Sequence, residues 1–209
     1  MVFSSGGLVE RISGLRSFFT SLEPSVSEPF VPQVVILGSR AVARTLAAFV
    51  AAMGWPLTVW ERDVGEHAWP AGTRTVARVF SEAPEPLPAH TFAVIARGHE
   101  GDPESVEALL RAGAERVFLV ASARRAEGVL EQVAGRLADP ALLARVSAPA
   151  GIDLGGQETA AIALSLVAEM QWRAAGGLGE LRPLTELRAA RVERSRTGQR
   201  DLACPGQRA

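Results

Sequence analysis

The chain has 209 residues, a formal net charge of -1, 47% hydrophobic residues and 22% charged ones, which places it among soluble globular proteins. All 22 basic residues are arginine, and lysine, tyrosine and asparagine are absent. Schiff-base lysines, Walker-type phosphate lysines, Ser-Lys dyads and the Tyr-Lys relay of short-chain dehydrogenases are therefore excluded. The single cysteine, Cys204, rules out a CxxC pair. The histidines His67, His90 and His99 are too scattered to favour a multi-histidine metal site. The balanced charge carries no nucleic-acid footprint, and no stretch has the length of a membrane span or the pattern of an export signal, so a cytoplasmic protein is expected.

Residues 1–33 read as an arm and linker, with an amphipathic stretch from Leu8 to Phe19 and a Pro/Ser-rich segment from Glu23 to Pro32. The domain proper is expected over 34–175. Val34 to Leu37 predicts a buried strand ending at Gly38, and Val42, Leu46, Phe49, Val50 and Met53 recur at helical spacing up to Gly54. Leu57 to Trp60 predicts a second strand, and Thr75 to Phe80 a weaker third one. Phe92 to Ala96 and Val117 to Val120 read as the fourth and fifth strands, with helices at Pro103 to Ala112 and Ala123 to Leu137. Ala141 to Ala144 makes a helical turn, Ala148 to Gly156 a Pro/Gly loop, and Ala160 to Trp172 a last helix. This alternation requires one parallel sheet with right-handed crossovers and helices on both faces. Residues 176–209 form an arginine-rich tail whose composition reads as flexible.

Parallel α/β sheets bind ligands beyond the C-terminal ends of their strands, so the loops there hold the candidates. The first turn, Gly38-Ser39-Arg40-Ala41-Val42-Ala43, occupies the place of a dinucleotide glycine fingerprint, with helix N–H groups able to face a phosphate. Glu61, at the end of the second strand, is placed for a ribose hydroxyl; the alternative is that Gly38 only ends a strand and Glu61 is a solvated charge. Arg40 stands where glycine would let a pyrophosphate approach, so it is either an anion ligand of another geometry or a surface arginine.

The loop Arg97-Gly98-His99-Glu100-Gly101-Asp102 follows the fourth strand. Its His99 could bond a phosphate, a pterin edge or a metal, whereas Asp102 before Pro103 also fits a helix N-cap. Ser122, backed by Arg124 and Arg125, offers a hydroxyl and positive charge, or simply a cap. Asp153 is the one charged side chain of the Ala148 to Gly156 loop, whose glycines serve a structural turn as readily as a binding loop.

The order of these motifs resembles the C-terminal Rossmann domain of the XdhC/CoxI family, maturation chaperones of molybdenum hydroxylases such as xanthine dehydrogenase and carbon monoxide dehydrogenase. The resemblance rests on VVILGSRAVARTL at 34–46, LTVWERD at 57–63, ARGHEGDPESVEALLRAGAERVFLVASARRA at 96–126 and APAGIDLGGQETAAIALSLVAEM at 148–170. It implies a Rossmann-like open parallel sheet and a non-catalytic accessory role: binding the pyranopterin molybdenum cofactor or a nucleotide-like form of it, protecting it during sulfuration, and delivering it to a client hydroxylase. By position it carries a cofactor-binding role to Gly38, His99, Asp102, Ser122, Arg125 and Asp153, with Glu61 as the acidic residue of the second strand; Ser39 and Arg40 of the first turn join them as cofactor-binding candidates from their place in this chain. A molybdenum hydroxylase client, a sulfurase and a separate homologue of the family's cysteine-bearing N-terminal domain are the implied partners, with room for a homodimer.

The chain departs from the family at three places. The family turn reads Gly-Ala-Gly-His, where Ser39, Arg40 and Ala41 follow Gly38 here, which argues against NAD(P). The family's Gly-Ser-Arg-Arg element is reduced to Ala121-Ser122-Ala123-Arg124, and no counterpart of its N-terminal domain is found in these residues. Two other classes remain open: an NAD(P)-binding oxidoreductase or nucleotide sensor using Gly38 and Glu61, and a degenerate Rossmann fold that serves only as an interaction module.

Overall fold

The computed structural model describes residues 29–62, 65, 67–78, 85–98 and 101–177. His99, one of the expected site residues, lies outside them, as do Cys204, the Leu8 to Phe19 stretch and the arginine-rich tail from Leu178.

Six strands form one all-parallel sheet: β1 (Gln33–Leu37), β2 (Leu57–Glu61), β3 (Arg74–Ala77), β4 (Thr91–Ile95), β5 (Arg116–Leu119) and β6 (Val146–Ser147). Their order is β3-β2-β1-β4-β5-β6, the doubly wound order that reverses direction at β1. β1 pairs with β2 through Leu37 opposite Trp60, and with β4 through Leu37 opposite Ile95. Among the described residues four α-helices pack on the sheet: α1 (Ala41–Ala52), α2 (Asp102–Arg111), α3 (Ala123–Ala134) and α4 (Thr159–Ala174).

The apolar runs of β1 and β4 are continuous because both faces of the sheet are covered. Alternate residues divide into two cores. Val34, Ile36, Val59, Phe92, Val94 and Phe118 pack under Leu46 and Val50 of α1 and Leu166 and Met170 of α4. Val35, Leu37, Ala93, Ile95, Val117 and Leu119 pack under Val106 and Leu109 of α2 and Val129 and Val133 of α3. At the N-terminal edge of the sheet, the Phe30 N–H donates to the Ala174 carbonyl at 2.9 Å and the Phe30 ring stacks on His90 at 4.3 Å. Among the described residues no helix is long and apolar enough to cross a membrane.

Several boundaries differ from expectation. The third strand ends at Ala77 and is exposed at both ends, as befits a sheet edge; Val79 and Phe80 lie outside the described residues. α3 stops at Ala134 before Gly135, and α4 runs two residues further than its apolar pattern, to Ala174. The turn near Ala141 is a 3₁₀ helix, Pro140–Arg145, started by Asp139, whose carboxylate accepts the Ala141 N–H at 2.9 Å. The two-residue β6 was not expected, being too short to show a period of its own.

α2 and the turn that follows α3 are also joined at the surface, where Arg136 Nη1 lies 2.7 Å from Glu104 Oε1. The Arg136 hydrogen bond, helped by Glu104's own backbone N–H, holds the Glu104 carboxyl below the usual carboxylate range, and Glu104 in turn raises Arg136. A carboxyl lowered in the folded state stabilises above its unfolded pKa and loses that contribution as pH falls through the folded one. Glu104→Gln should therefore lower the melting temperature slightly at neutral pH and low salt. The difference should vanish at high salt and at pH below the carboxylate range, because both side chains are more than a third exposed. A difference unchanged by salt and acid would show that the pair is not its source.

Candidate functional site

Because every strand is parallel, the residues that follow β1, β2, β4 and β5 leave the sheet at a single edge. This brings Gly38, Glu61, Gly98 and Ser122 to the same end of the fold. A sheet of this kind places its ligand crevice between β1 and β4, where the strand order reverses.

Gly38 sits at its floor with φ +111, and its N–H donates to the Trp60 carbonyl at 3.0 Å. A Cβ there would lie 2.8 Å from the Arg97 Cα, so only glycine lets β1 and the β4 loop come this close. Ser39 is half-buried beside it. Arg40 is the N-cap residue of α1 and is exposed. Its guanidinium reaches across to Gly98, with Cζ 3.5 Å from the point a Gly98 Cβ would occupy. Among the described residues no side chain caps α1, so its first amides have no described acceptor there.

Glu61 is only 3% exposed, which corrects the alternative of a solvated charge. The Trp69 indole N–H donates to its Oε1 at 3.2 Å, and His67 Nδ1 lies 3.6 Å from Oε2. The loop after β2 thus covers the carboxylate expected to meet a ribose.

Asp102 is fully buried and does not cap α2; Gly101, in a left-handed conformation, holds the cap position. The Asp102 carboxylate stands between two arginines, Arg125 Nε at 3.3 Å and Arg97 Nε at 3.8 Å. Arg97 also donates to the Gly101 carbonyl and to Ser105 Oγ, and Arg125 Nη2 donates to the Val120 carbonyl at 2.5 Å. Ser122 Oγ accepts the Arg125 N–H at 3.4 Å and caps α3, so its structural reading holds. Asp102 therefore ties the loop after β4 to the loop after β5.

Asp153 is exposed, and its Oδ1 accepts the Gly155 N–H at 2.9 Å, the turn its glycines allowed. The base of its loop is fixed by Glu169, absent from the sequence-based candidates. The one clue was a carboxylate placed between Leu166 and Met170 on an apolar helix stripe. Arg97 was passed over because nothing local marks an arginine whose partner begins the next helix. Among the described residues no three His, Cys, Asp or Glu side chains gather as a metal site would require.

The description "XdhC Rossmann domain" matches residues 34–170, well over half of the chain. The chain belongs to this family. The XdhC domain here is 28% identical over 145 residues to the uncharacterised protein YqeB of Escherichia coli (strain K12), covering 66% of the chain and 27% of YqeB. It also superposes on the crystal structure of a xanthine dehydrogenase from Bacillus halodurans, with a TM-score of 0.56 and 16% identity. That match covers 92% of this chain and 55% of the other, so the chain spans only part of either protein. At such identity the superposition establishes the shared fold alone.

Proposed function

We propose that this XdhC domain assists the maturation of a xanthine dehydrogenase-type molybdenum hydroxylase by holding the molybdenum cofactor, or a nucleotide-like form of it, at the crevice between β1 and β4 and passing it to the client enzyme. One observation carries the reading: the N-terminus of α1, which no described side chain caps, opens on the crevice with the Arg40 guanidinium poised against Gly98. The Arg40 guanidinium makes no hydrogen bond or ion pair with any described residue, so amide donors and a cation are both available to a phosphate. The cofactor's phosphate fits that donor set.

A nicotinamide dinucleotide fits it less well. Its pyrophosphate would need the space over Gly98 that Arg40 enters, and its ribose the carboxylate that Trp69 and His67 engage. Family membership and a parallel-sheet fold support an accessory role, in which the hydroxylase, a sulfurase and an XdhC-type N-terminal partner would meet the protein at this edge.

The test loads the protein with molybdenum cofactor released from a hydroxylase and reads pterin fluorescence after gel filtration, alongside NAD titration. The unaltered protein should retain the cofactor and bind NAD weakly, and Arg40→Ala should lose about tenfold in cofactor affinity, the size expected of one charge-assisted contact. Tight NAD binding with no retained pterin would overturn the proposal in favour of an oxidoreductase or nucleotide sensor.

A further inference from the structure

Glu169 is 6% exposed on α4, between Leu166 and Met170, both of which are fully buried. A charge in such a place is costly, and an apolar residue of similar size would serve the core at least as well. Its contacts give it a different task. Ser147 Oγ donates to Oε1 at 2.7 Å, and the Gly151 N–H donates to Oε2 at 2.7 Å. Those two groups lie on either side of the Ala148-Pro149-Ala150 segment, so one carboxylate holds both ends of the base of the loop.

The neighbouring amides complete the attachment. The Ala150 N–H donates to the Leu119 carbonyl at 3.0 Å and the Ile152 N–H to the Ser165 carbonyl at 3.2 Å. Three consecutive amides, 150 to 152, thus point inward. Gly151, at φ +110, lies so close to Ser165 that a Cβ would collide with its hydroxyl. Beyond this base the loop is open: residues 153–158 are all exposed, with Asp153 and Leu154 at the front. Because the loop leaves the sheet beside the end of β5, it stands at the same edge as the crevice.

We infer that Glu169 is a positioning residue, whose buried carboxylate sets the place of the Asp153 loop at the edge where cofactor and client are handled; this rests on the function proposed above. Among the described residues the charged groups around it are few. Arg173, one turn later on α4, lies 3.6 Å from Oε1. Arg116 of β5 is near enough to sense both; burial, reinforced by Arg173, pulls its pKa down to about 10, and Glu169 opposes that shift. Glutamine can keep both loop contacts, accepting from Gly151 and donating to Ser147 Oγ, whereas alanine keeps neither.

The test compares the full chain with Glu169→Ala, Glu169→Gln and Ser147→Ala. Amide hydrogen exchange is followed at residues 150–152 and in β1 and β4, together with molybdenum cofactor retention and client activation. Glu169→Ala should speed exchange at 150–152 by about tenfold or more while β1 and β4 keep their protection, Ser147→Ala should do so less, and Glu169→Gln should stay near the unaltered protein. Retention or activation should fall with Glu169→Ala and be rescued by Glu169→Gln.

Unchanged exchange at 150–152, or equal loss of protection throughout the sheet, would overturn the inference, as would full cofactor handling by a loosened loop. If Glu169→Ala does not fold, Ser147→Ala gives the same decision from one contact. Should the unaltered protein retain no cofactor, the proposed function fails, and the exchange pattern still decides whether Glu169 sets the loop.

Discussion

Gly38→Ala is expected to destabilise the protein by about 2–4 kcal/mol, from a backbone conformation that L-residues resist together with a steric clash. The new methyl would sit 2.8 Å from the Arg97 Cα and Cβ and 3.0 Å from the Ala96 carbonyl oxygen. Main-chain atoms cannot swing aside as the end of a long side chain can, so β1 and the start of the β4 loop would have to separate. In a domain of this size such a loss lowers the melting temperature by roughly 5–15 °C. A melting temperature within about 2 °C of the unaltered protein would mean that the two strands part easily and that the crevice floor is not rigid.

Asp102→Ala is expected to cost about 3 kcal/mol, since it leaves two largely buried guanidiniums facing each other without the carboxylate between them. Arg97 and Arg125 are 14% and 24% exposed, enough for some solvent relief, which places the cost at the lower end for a broken buried pair. Asp102→Asn keeps the shape and removes the charge, so it should fall between the two. Chemical denaturation of all three proteins checks the order. Equal stability of Asp102→Ala and the unaltered protein would show that the arginines are held by their carbonyl and hydroxyl acceptors alone.

The sheet was legible because buried parallel strands announce themselves as short apolar runs, as at Val34, Leu57, Phe92 and Val117. The shared edge followed from the crossovers without any knowledge of side chains. β3 and β6 were harder: one is half-exposed and the other has two residues, so neither carries a strong pattern. What could not be read was which candidates are already engaged within the protein.

Glu61 looks like a free acid until Trp69 folds back on it, and Asp102 looks like a cap until Arg97, from the loop after β4, and Arg125, from the first turn of α3, converge on it. Both outcomes depend on tertiary contacts that no local rule encodes. Conversely, Arg40 could be read as an anion ligand or as a surface arginine, and its reach to Gly98 emerges only once β1 and β4 are neighbours.

The hydrogen bond from Phe30 to Ala174 brings the first and last described elements together at the end of the sheet away from the crevice. Two backbone sites in direct contact can be bridged by a short linker, which makes the fold suited to circular permutation, with new termini opened at an exposed turn such as Gly72. It also gives fusions a defined geometry. A fluorescent reporter or tethering domain joined at Phe30 or Ala174 starts about 17 Å from the crevice edge, the length of a five-residue strand, and so leaves that edge clear.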